Sequence, residues 1–552
     1  MSWDEQFDLV CVGSGAGGLS AAITAADAGA SAVVLEKGPL LGGVTALSLG
    51  QIWLGNNHLA EAAGIADTVP ETSQYLDFLA AGLIDRVRQQ GFIEHAREAL
   101  QYLHDAGFAV EVIRDCPDYY YPRAPGSKAE GRYVEVEAFD LRELGELREK
   151  FLVSPHGWGY MSNADIIEAS GDLSVLGEMI NRHVENHEVL AGTGISAWLV
   201  RMAADRHVEM RVSHRARRLI KDDSGIAGIE VETPEGSRTI RTRGVVLATG
   251  GYDWNPDLVR SFELLPEMQS MTQPTVEGDH IVMATRVGGM IAATPTVANP
   301  ILVGFHIPGE ELDGRPVYHG HSFPGAHLIH VNSTGRRFCD ESFYPSVVSE
   351  LSRYDRLKNE YPNRPTWMIF DQTFRDKYVL GFVAPGQPLP EGTTEKADTI
   401  RGLADKIGID ADTLEETVER YNGFCETGVD EEFARGSWPW AVQSWGDKRL
   451  QPNPVMGPID KPPYHALKLT RVGMGIPSAG LKVDTIGRVL DATNAAIPGL
   501  YAAGNAAARL DTGGYQSGTA NARGLMLGYL AARDVAALTP ASGPALSAPM
   551  GA

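Results

Sequence analysis

The stretch from Phe7 to Lys37, FDLVCVGSGAGGLSAAITAADAGASAVVLEK, decides the fold. FDLVCVG is a short apolar run rich in β-forming residues, the small-residue segment after it keeps helical spacing, and SAVVLEK is a second strand. Strand, helix and strand within about 30 residues is the span that a βαβ unit needs. Gly13-Ser14-Gly15-Ala16-Gly17-Gly18 joins the first strand to the helix as GxGxxG, a dinucleotide-binding pattern in this setting. Gly13 serves the tight turn, Gly15 the approach of a pyrophosphate to the helix N-terminus, and Gly18 the packing of helix on sheet. Glu36 ends the second strand, where its carboxylate would take the ribose hydroxyls and repel a 2′-phosphate. This disfavours NADP and leaves NAD and FAD open.

Outward from that unit, an apolar strand ending in VVLATGG (245–251) and a return of strand and turn patterns from 464 to the final helix bracket a middle region richer in Pro, His and aromatics. One domain interrupted by another is the simplest organisation, and 552 residues are too many for a single ordinary core. A net charge of −23 without a Lys/Arg cluster argues against nucleic acid or an anionic membrane surface as partner. The N-terminus carries no export-signal pattern, and no apolar run reaches the ~20 residues of a transmembrane helix. Cys11, Cys116, Cys339 and Cys425 are widely spaced and form no CxxC pair, which fits buried thiols in a reducing cytoplasm. His319, His321, His327 and His330 share no metal-ligand spacing, so no metal site is expected. SWPWAVQSW (437–445) would line an apolar pocket or fill a hydrophobic corner.

Further segments carry a resemblance: EKGPLLGGVTALSLG (36–50), VVLATGGYDWN (245–255), EGDHIVMA (277–284), NSTGRRFCDES (332–342) and GLYAAGN (499–505). Together they are similar to the fumarate reductase and 3-ketosteroid dehydrogenase superfamily of FAD-dependent enzymes. The resemblance implies an α/β fold: a Rossmann-type (GR2-like) FAD-binding domain from 1–290 and 456–540, interrupted by an inserted α+β catalytic domain at 291–455. From its low complexity, the tail at 541–552 is expected to be disordered. The implied FAD contacts are Gly13, Gly15, Ala16, Gly17, Gly18, Glu36 and Lys37 in the first unit. Gly42, Gly43, Thr45, Ser48 and Gly50 follow, then Ala248, Thr249 and Gly250, and finally Gly504 and Asn505. With no histidine in 36–50, the flavin is expected to be non-covalent.

Two branches compete. The fumarate-type proton donor is an arginine in the inserted domain, and Phe323-Pro324 stand at the corresponding place here. PDYYYPRAPGSKAEGRYVEVEAFDLRELGE (117–146), PPYHALKL (462–469) and the ending GYLAARD (528–534) resemble instead the 3-ketosteroid Δ1-dehydrogenase branch. That branch implies α,β-dehydrogenation of a cyclic ketone, steroid or smaller, with an external acceptor such as a quinone reoxidising the flavin. Tyr515 and the N–H of Gly518, or of Thr519, would hold the ketone oxygen. Tyr344 would be the base, and Tyr120 or Tyr121 its hydrogen-bonded relay. The spacing departs from the family in both places, because the loop around Tyr515 is one residue shorter and Tyr344 precedes Pro345. The reverse reaction, reduction of an activated C=C bond, and a flavin-binding protein without turnover remain as alternatives.

Overall fold

The computed structural model describes residues 2–265, 268–294, 302–312, 314–320, 325–510 and 513–537. His321, Phe323-Pro324 and the tail at 541–552 lie outside them.

The opening stretch folds as β1 (Leu9–Val12), α1 (Ala16–Asp27) and β2 (Ala32–Leu35). With β3 (Glu209–Arg211), β4 (Gly244–Leu247), β5 (Arg488–Leu490) and β6 (Ala496–Ala502) they form a six-stranded sheet of order β5-β6-β4-β1-β2-β3. All neighbours run parallel except β5 against β6. Both faces are covered, so the strands read as continuous apolar runs rather than alternating ones. Leu9, Val10, Val33 and Val34 are fully buried, each worth about 1.5–3 kcal/mol over an exposed side chain. The chain leaves this sheet after β3 for an antiparallel meander, Arg215–Asp222, Gly225–Thr233 and Gly236–Arg241, and returns as β4. The C-terminal helix α2 (Thr519–Ala537) lies along α1. A Cβ at Gly528 would fall 2.2 Å from the Gly17 carbonyl oxygen, which is why this contact is made by small residues.

A second, largely antiparallel sheet is built from Arg315–Gly320, Leu302–Leu312, Tyr464–Gly473, Thr366–Phe370 and Leu328–Val331, in that order. Alternate residues feed two cores. Leu328, Met368, Phe370, Leu467 and Leu469 pack on one side, and Ile329, Val331, Ile369 and Ala466 on the other. Its central strand, Tyr464–Gly473, comes from beyond the domain boundary read at 455.

Two helices, Val69–Ala80 and Arg86–Asp105, follow one another along the chain. Left-handed Ala81 ends the first, and the Asp85 side chain caps the second by accepting from the Arg88 N–H at 3.1 Å. No helix among the described residues is long and apolar enough to cross a membrane. Cys11, Cys116, Cys339 and Cys425 are free thiols, the first three buried.

Candidate active site

The glycine loop sets one end of the site. Gly13 has φ +107°, and a Cβ there would sit 2.4 Å from the Ala248 carbonyl oxygen. A Cβ on Gly18 would sit 2.0 Å from the Gly13 oxygen, so helix and turn touch backbone to backbone. Gly15 itself offers no capping side chain at the start of α1, and that helix end, with its partial positive charge, borders the cavity. Ser14, which the sequence reading passed over, is the hub: its hydroxyl donates to Glu36 Oε2 at 2.7 Å and accepts from the Gly42 N–H at 3.0 Å. The Ser14 and Gly38 N–H groups also donate to Glu36, at 3.1 and 2.8 Å. The carboxylate is thereby fixed in orientation at the end of β2.

A single cavity runs from this loop across the edge of the sheet. Gly13, Gly15, Ala16, Gly17, Glu36 and Lys37 line its first part. Gly43, Thr45, Ser48 and Gly50 line it too, as do Ala248, Thr249, Gly250, Gly504 and Asn505. Gly18 and Gly42 do not line it; Gly18, within α1, packs on the Gly13 carbonyl and Gly42 ties the second turn to Ser14. Lys37 is bridged to Glu277 at 2.8 Å and Asp279 at 2.7 Å. The Thr45 hydroxyl accepts from the Ala16 N–H at 3.0 Å, and Asn505 is held by Arg523 at 3.0 Å and by the Gly475 carbonyl at 2.9 Å.

The other end of the cavity is phenolic. Tyr119, Tyr344 and Tyr515 all line it. Tyr515 stands edge-on to both others, with ring centroids 6.1 Å from Tyr119 and 5.7 Å from Tyr344. Trp440 packs on Tyr119 at 4.1 Å, and Trp158, Trp445, Met271 and Met474 make the remaining wall largely apolar. Of the tyrosine run, Tyr119 is the member that enters. Tyr120 packs instead on Phe78, Phe343 and Trp438 in a neighbouring pocket, and half-buried Tyr121 lines neither space. Burial drives the phenols of Tyr119 and Tyr344 well above the ordinary tyrosine value, and Tyr515 beside them adds to the rise. Arg509 pulls Tyr344 down, but burial outweighs it.

Gln516 holds this arrangement. Fully buried, it accepts through Oε1 from the Tyr75 hydroxyl and from the Tyr119 N–H at 3.3 Å, while Nε2 donates to the Tyr133 hydroxyl. One side chain thus fixes the loop carrying Tyr515 to the loop carrying Tyr119. Beneath it, Asp118 accepts from Trp53 Nε1 at 2.7 Å and pairs with buried Arg132 at 2.9 Å. Gly518 has φ +88°, its carbonyl accepts from the Trp53 N–H at 3.1 Å, and a Cβ would lie 2.7 Å from that nitrogen. Gly518 lines the cavity and Thr519 does not.

These residues fit FAD. The glycine loop brings bare backbone to one end, Glu36 accepts there, and the buried Gln51 Oε1 on the cavity wall has no partner among the described residues. His319 pairs with Glu310, and no group of His, Cys, Asp or Glu among the described residues could hold a metal ion.

Comparison with known proteins agrees. A family described as FAD binding domain matches residues 8–522. The chain is 34% identical to 4-oxocyclohexanecarboxylate 2-dehydrogenase of Sinomonas cyclohexanicum, over 96% of this chain and 93% of that one. It is 33% identical to 3-oxosteroid 1-dehydrogenase of Mycolicibacterium smegmatis, over 98% of each. Among solved structures it is similar to the 3-ketosteroid Δ1-dehydrogenase of Sterolibacterium denitrificans in complex with 1,4-androstadiene-3,17-dione. That match has a TM-score of 0.88 and 28% identity, covering 97% of this chain and all of that one. The chain therefore belongs to the FAD binding domain family, and FAD is the cofactor its glycine-lined cradle takes.

Proposed function

We propose that this protein is an FAD-dependent dehydrogenase that introduces a C=C bond beside the carbonyl of a cyclic ketone. The observation that carries this reading is the meeting of Tyr119, Tyr344 and Tyr515 at the end of the cavity that begins at the dinucleotide loop. The activities for which the relatives are named, dehydrogenation of a 4-oxocyclohexanecarboxylate and of 3-oxosteroids, are of the same class.

In this reading Tyr515 and the Gly518 N–H donate to the ketone oxygen and stabilise the enolate as the α-proton leaves; one such donor is worth about 2.7–4 kcal/mol. Tyr344 receives that proton, and Tyr119 takes the neighbouring place read in the sequence as Tyr120 or Tyr121. Bound FAD supplies the acceptor for the hydride. The indoles of Trp440, Trp445 and Trp158 shape the space for an apolar ring and keep water out. Among the described residues lining the cavity the one Lys or Arg is Lys37, already paired at the glycine-loop end. Arg509 acts on Tyr344 but does not line the cavity, so a fumarate-like dicarboxylate would meet no lining cation at the phenolic end, which favours the ketone over the acid. A preformed phenolate would be costly: with a pKa above 10, populating it at pH 7 takes at least about 4 kcal/mol.

We assign the architecture as an FAD-binding domain interrupted by a catalytic domain, with the second boundary after Gly473 rather than at 455. The flavin is non-covalent, an external acceptor such as a quinone reoxidises it, and the free thiols suit the cytoplasm. The test is product identification. Incubated with 4-oxocyclohexanecarboxylate or a 3-ketosteroid and an artificial acceptor, the enzyme should yield a conjugated enone two mass units lighter. Recovery of unchanged ketone from every substrate of both classes would refute the reading.

A further inference from the structure

Separate stretches of the cavity wall converge on one buried carboxylate that takes no part in the chemistry proposed above. Asp253, shortly after β4, accepts through Oδ2 from the Gly475 N–H at 2.9 Å and from the Ser270 hydroxyl at 2.9 Å. Gly475 stands between Met474 and Ile476, and Ser270 precedes Met271, Thr272 and Gln273; all of these neighbours line the cavity. The two stretches are also paired with each other: Ser270 lies beside Gly473 in a parallel ladder, and the Met271 N–H donates to the Gly473 carbonyl at 3.1 Å. The Gly475 carbonyl in turn accepts from Asn505 Nδ2 at 2.9 Å, and Arg523 donates to Asn505 Oδ1 at 3.0 Å. An unbroken run of hydrogen bonds therefore leads from Asp253 through the Gly475 peptide to Asn505 in the cofactor cradle. The approach is close as well, since a Cβ on Gly473 would fall 2.5 Å from Asp253 Oδ2. The end of the strand Tyr464–Gly473, at the centre of the second sheet, is thus seated directly on a carboxylate carried by the cofactor-binding part of the chain.

We propose that Asp253 is a positioning residue for flavin reduction: its carboxylate holds the Gly475 turn so that the walls Met474–Ile476 and Met271–Gln273 keep their place against the Asn505 side of the cofactor cradle. The inference rests on the ketone-dehydrogenase reading above only for the substrate with which the rate is read.

Burial pushes the Asp253 carboxyl up to about 6, with Glu263 adding to the rise and the Ser270 and Gly475 donors opposing it, so at pH 8 the group is ionised. Hydrogen bonds to an ionised acceptor are roughly twice as strong as those between neutral groups, which suits the carboxylate to holding a turn in one position. Gly473 supplies an independent handle on the same oxygen, because a methyl group there would displace it.

Asp253→Asn keeps the size of the side chain and removes its charge. At pH 8 the dissociation constant of FAD, from flavin-fluorescence titration of apoprotein, should rise by about tenfold, the effect of losing one hydrogen bond to a charged group. The limiting rate of anaerobic flavin bleaching by a saturated cyclic ketone, measured with FAD saturating and well below the melting midpoint, should fall by about 10²-fold, as a displacement of about 1 Å would cause. A role in stability alone would lower the midpoint and leave both quantities unchanged. Gly473→Ala should reproduce both effects in the wild-type background and add less than about twofold to Asp253→Ala, where the oxygen it strikes is gone. FAD affinity and limiting rate both within twofold of wild type in Asp253→Asn, or a Gly473→Ala effect as large in Asp253→Ala as in wild type, would overturn the proposal. Should Asp253→Asn fail to fold, the same readouts on Ser270→Ala and Gly473→Ala decide it. A wild-type flavin bleached by no ketone would sink the underlying reading, and the FAD titration then settles this inference alone: an unchanged dissociation constant overturns it, and a tenfold rise repeated by Gly473→Ala supports it.

Discussion

Replacing Gln516 by leucine tests whether a single buried amide positions the phenols. The substitution is close in size but leaves the Tyr75 and Tyr133 hydroxyls and the Tyr119 N–H each short of a partner. Both tyrosine hydroxyls belong to fully buried residues, and Tyr119 is 5% exposed, so water cannot substitute. Each buried group left unsatisfied costs about 1–3 kcal/mol, offset in part by about 1.5–3 kcal/mol for burying a leucine. The net loss is about 2–6 kcal/mol. For 552 residues the unfolding entropy is about 1.2 kcal/mol/K, so the melting midpoint of the FAD-loaded protein should fall by about 2–5 °C. Function should suffer more than stability. With the Tyr119 and Tyr515 loops no longer tied together, a displacement near 1 Å would slow flavin reduction by about 10²-fold. Differential scanning fluorimetry and anaerobic stopped flow measure the two quantities. A midpoint within 1 °C of wild type together with a rate within twofold would refute the assignment of Gln516 as the anchor.

Other variants probe the remaining parts. Tyr515→Phe removes one hydroxyl donor and should slow flavin reduction by about 10²–10³-fold with FAD still bound, as read from the rate of bleaching and the visible spectrum. Glu36→Ala deletes the acceptor at the end of β2 and should weaken FAD binding by about tenfold or more, taking 1.5–3 kcal/mol for a hydrogen bond to a charged group; flavin-fluorescence titration of apoprotein checks it. Glu341, fully buried between Arg337 at 2.8 Å and Arg435 at 3.2 Å, reports on acid stability. Burial pushes its carboxyl up, but the guanidinium groups outweigh that and hold it at about 2. Its stabilisation is therefore present above about pH 4.5 and lost as pH falls from there toward 2. Glu341→Gln should cost about 3–5 kcal/mol at neutral pH and flatten the stability profile between pH 4.5 and 2, measured by urea denaturation across that range.

The parts legible in the sequence are those where the constraint is local. A turn that must pass backbone to backbone admits only glycine, and so Gly13, Gly15 and Gly18 with Glu36 announce the βαβ cradle without tertiary information. The phenolic end is different. Three consecutive tyrosines from 119 to 121 show that a phenol is available, but which ring turns inward depends on the Tyr119 N–H reaching Gln516, almost 400 residues away in sequence. Gln516 itself looks like a polar loop residue until its three partners are seen. The strand Tyr464–Gly473 falls where strand and turn patterns return in the sequence, but nothing in that pattern says which sheet it joins, and it pairs with Thr366–Phe370 and Leu302–Leu312. Ser14 gave no signal beyond being the x of GxG, because its role lies in contacts to Glu36 and Gly42 that only the folded turn creates.

Anaerobic titration of the oxidised, FAD-loaded protein with a saturated cyclic ketone tests the central claim most directly. The account requires the yellow flavin absorbance to bleach with one equivalent of enone formed per flavin, at a rate that Tyr515→Phe cuts by about 10²-fold or more. A flavin that stays oxidised with cyclohexanone carboxylates and 3-ketosteroids alike would contradict it.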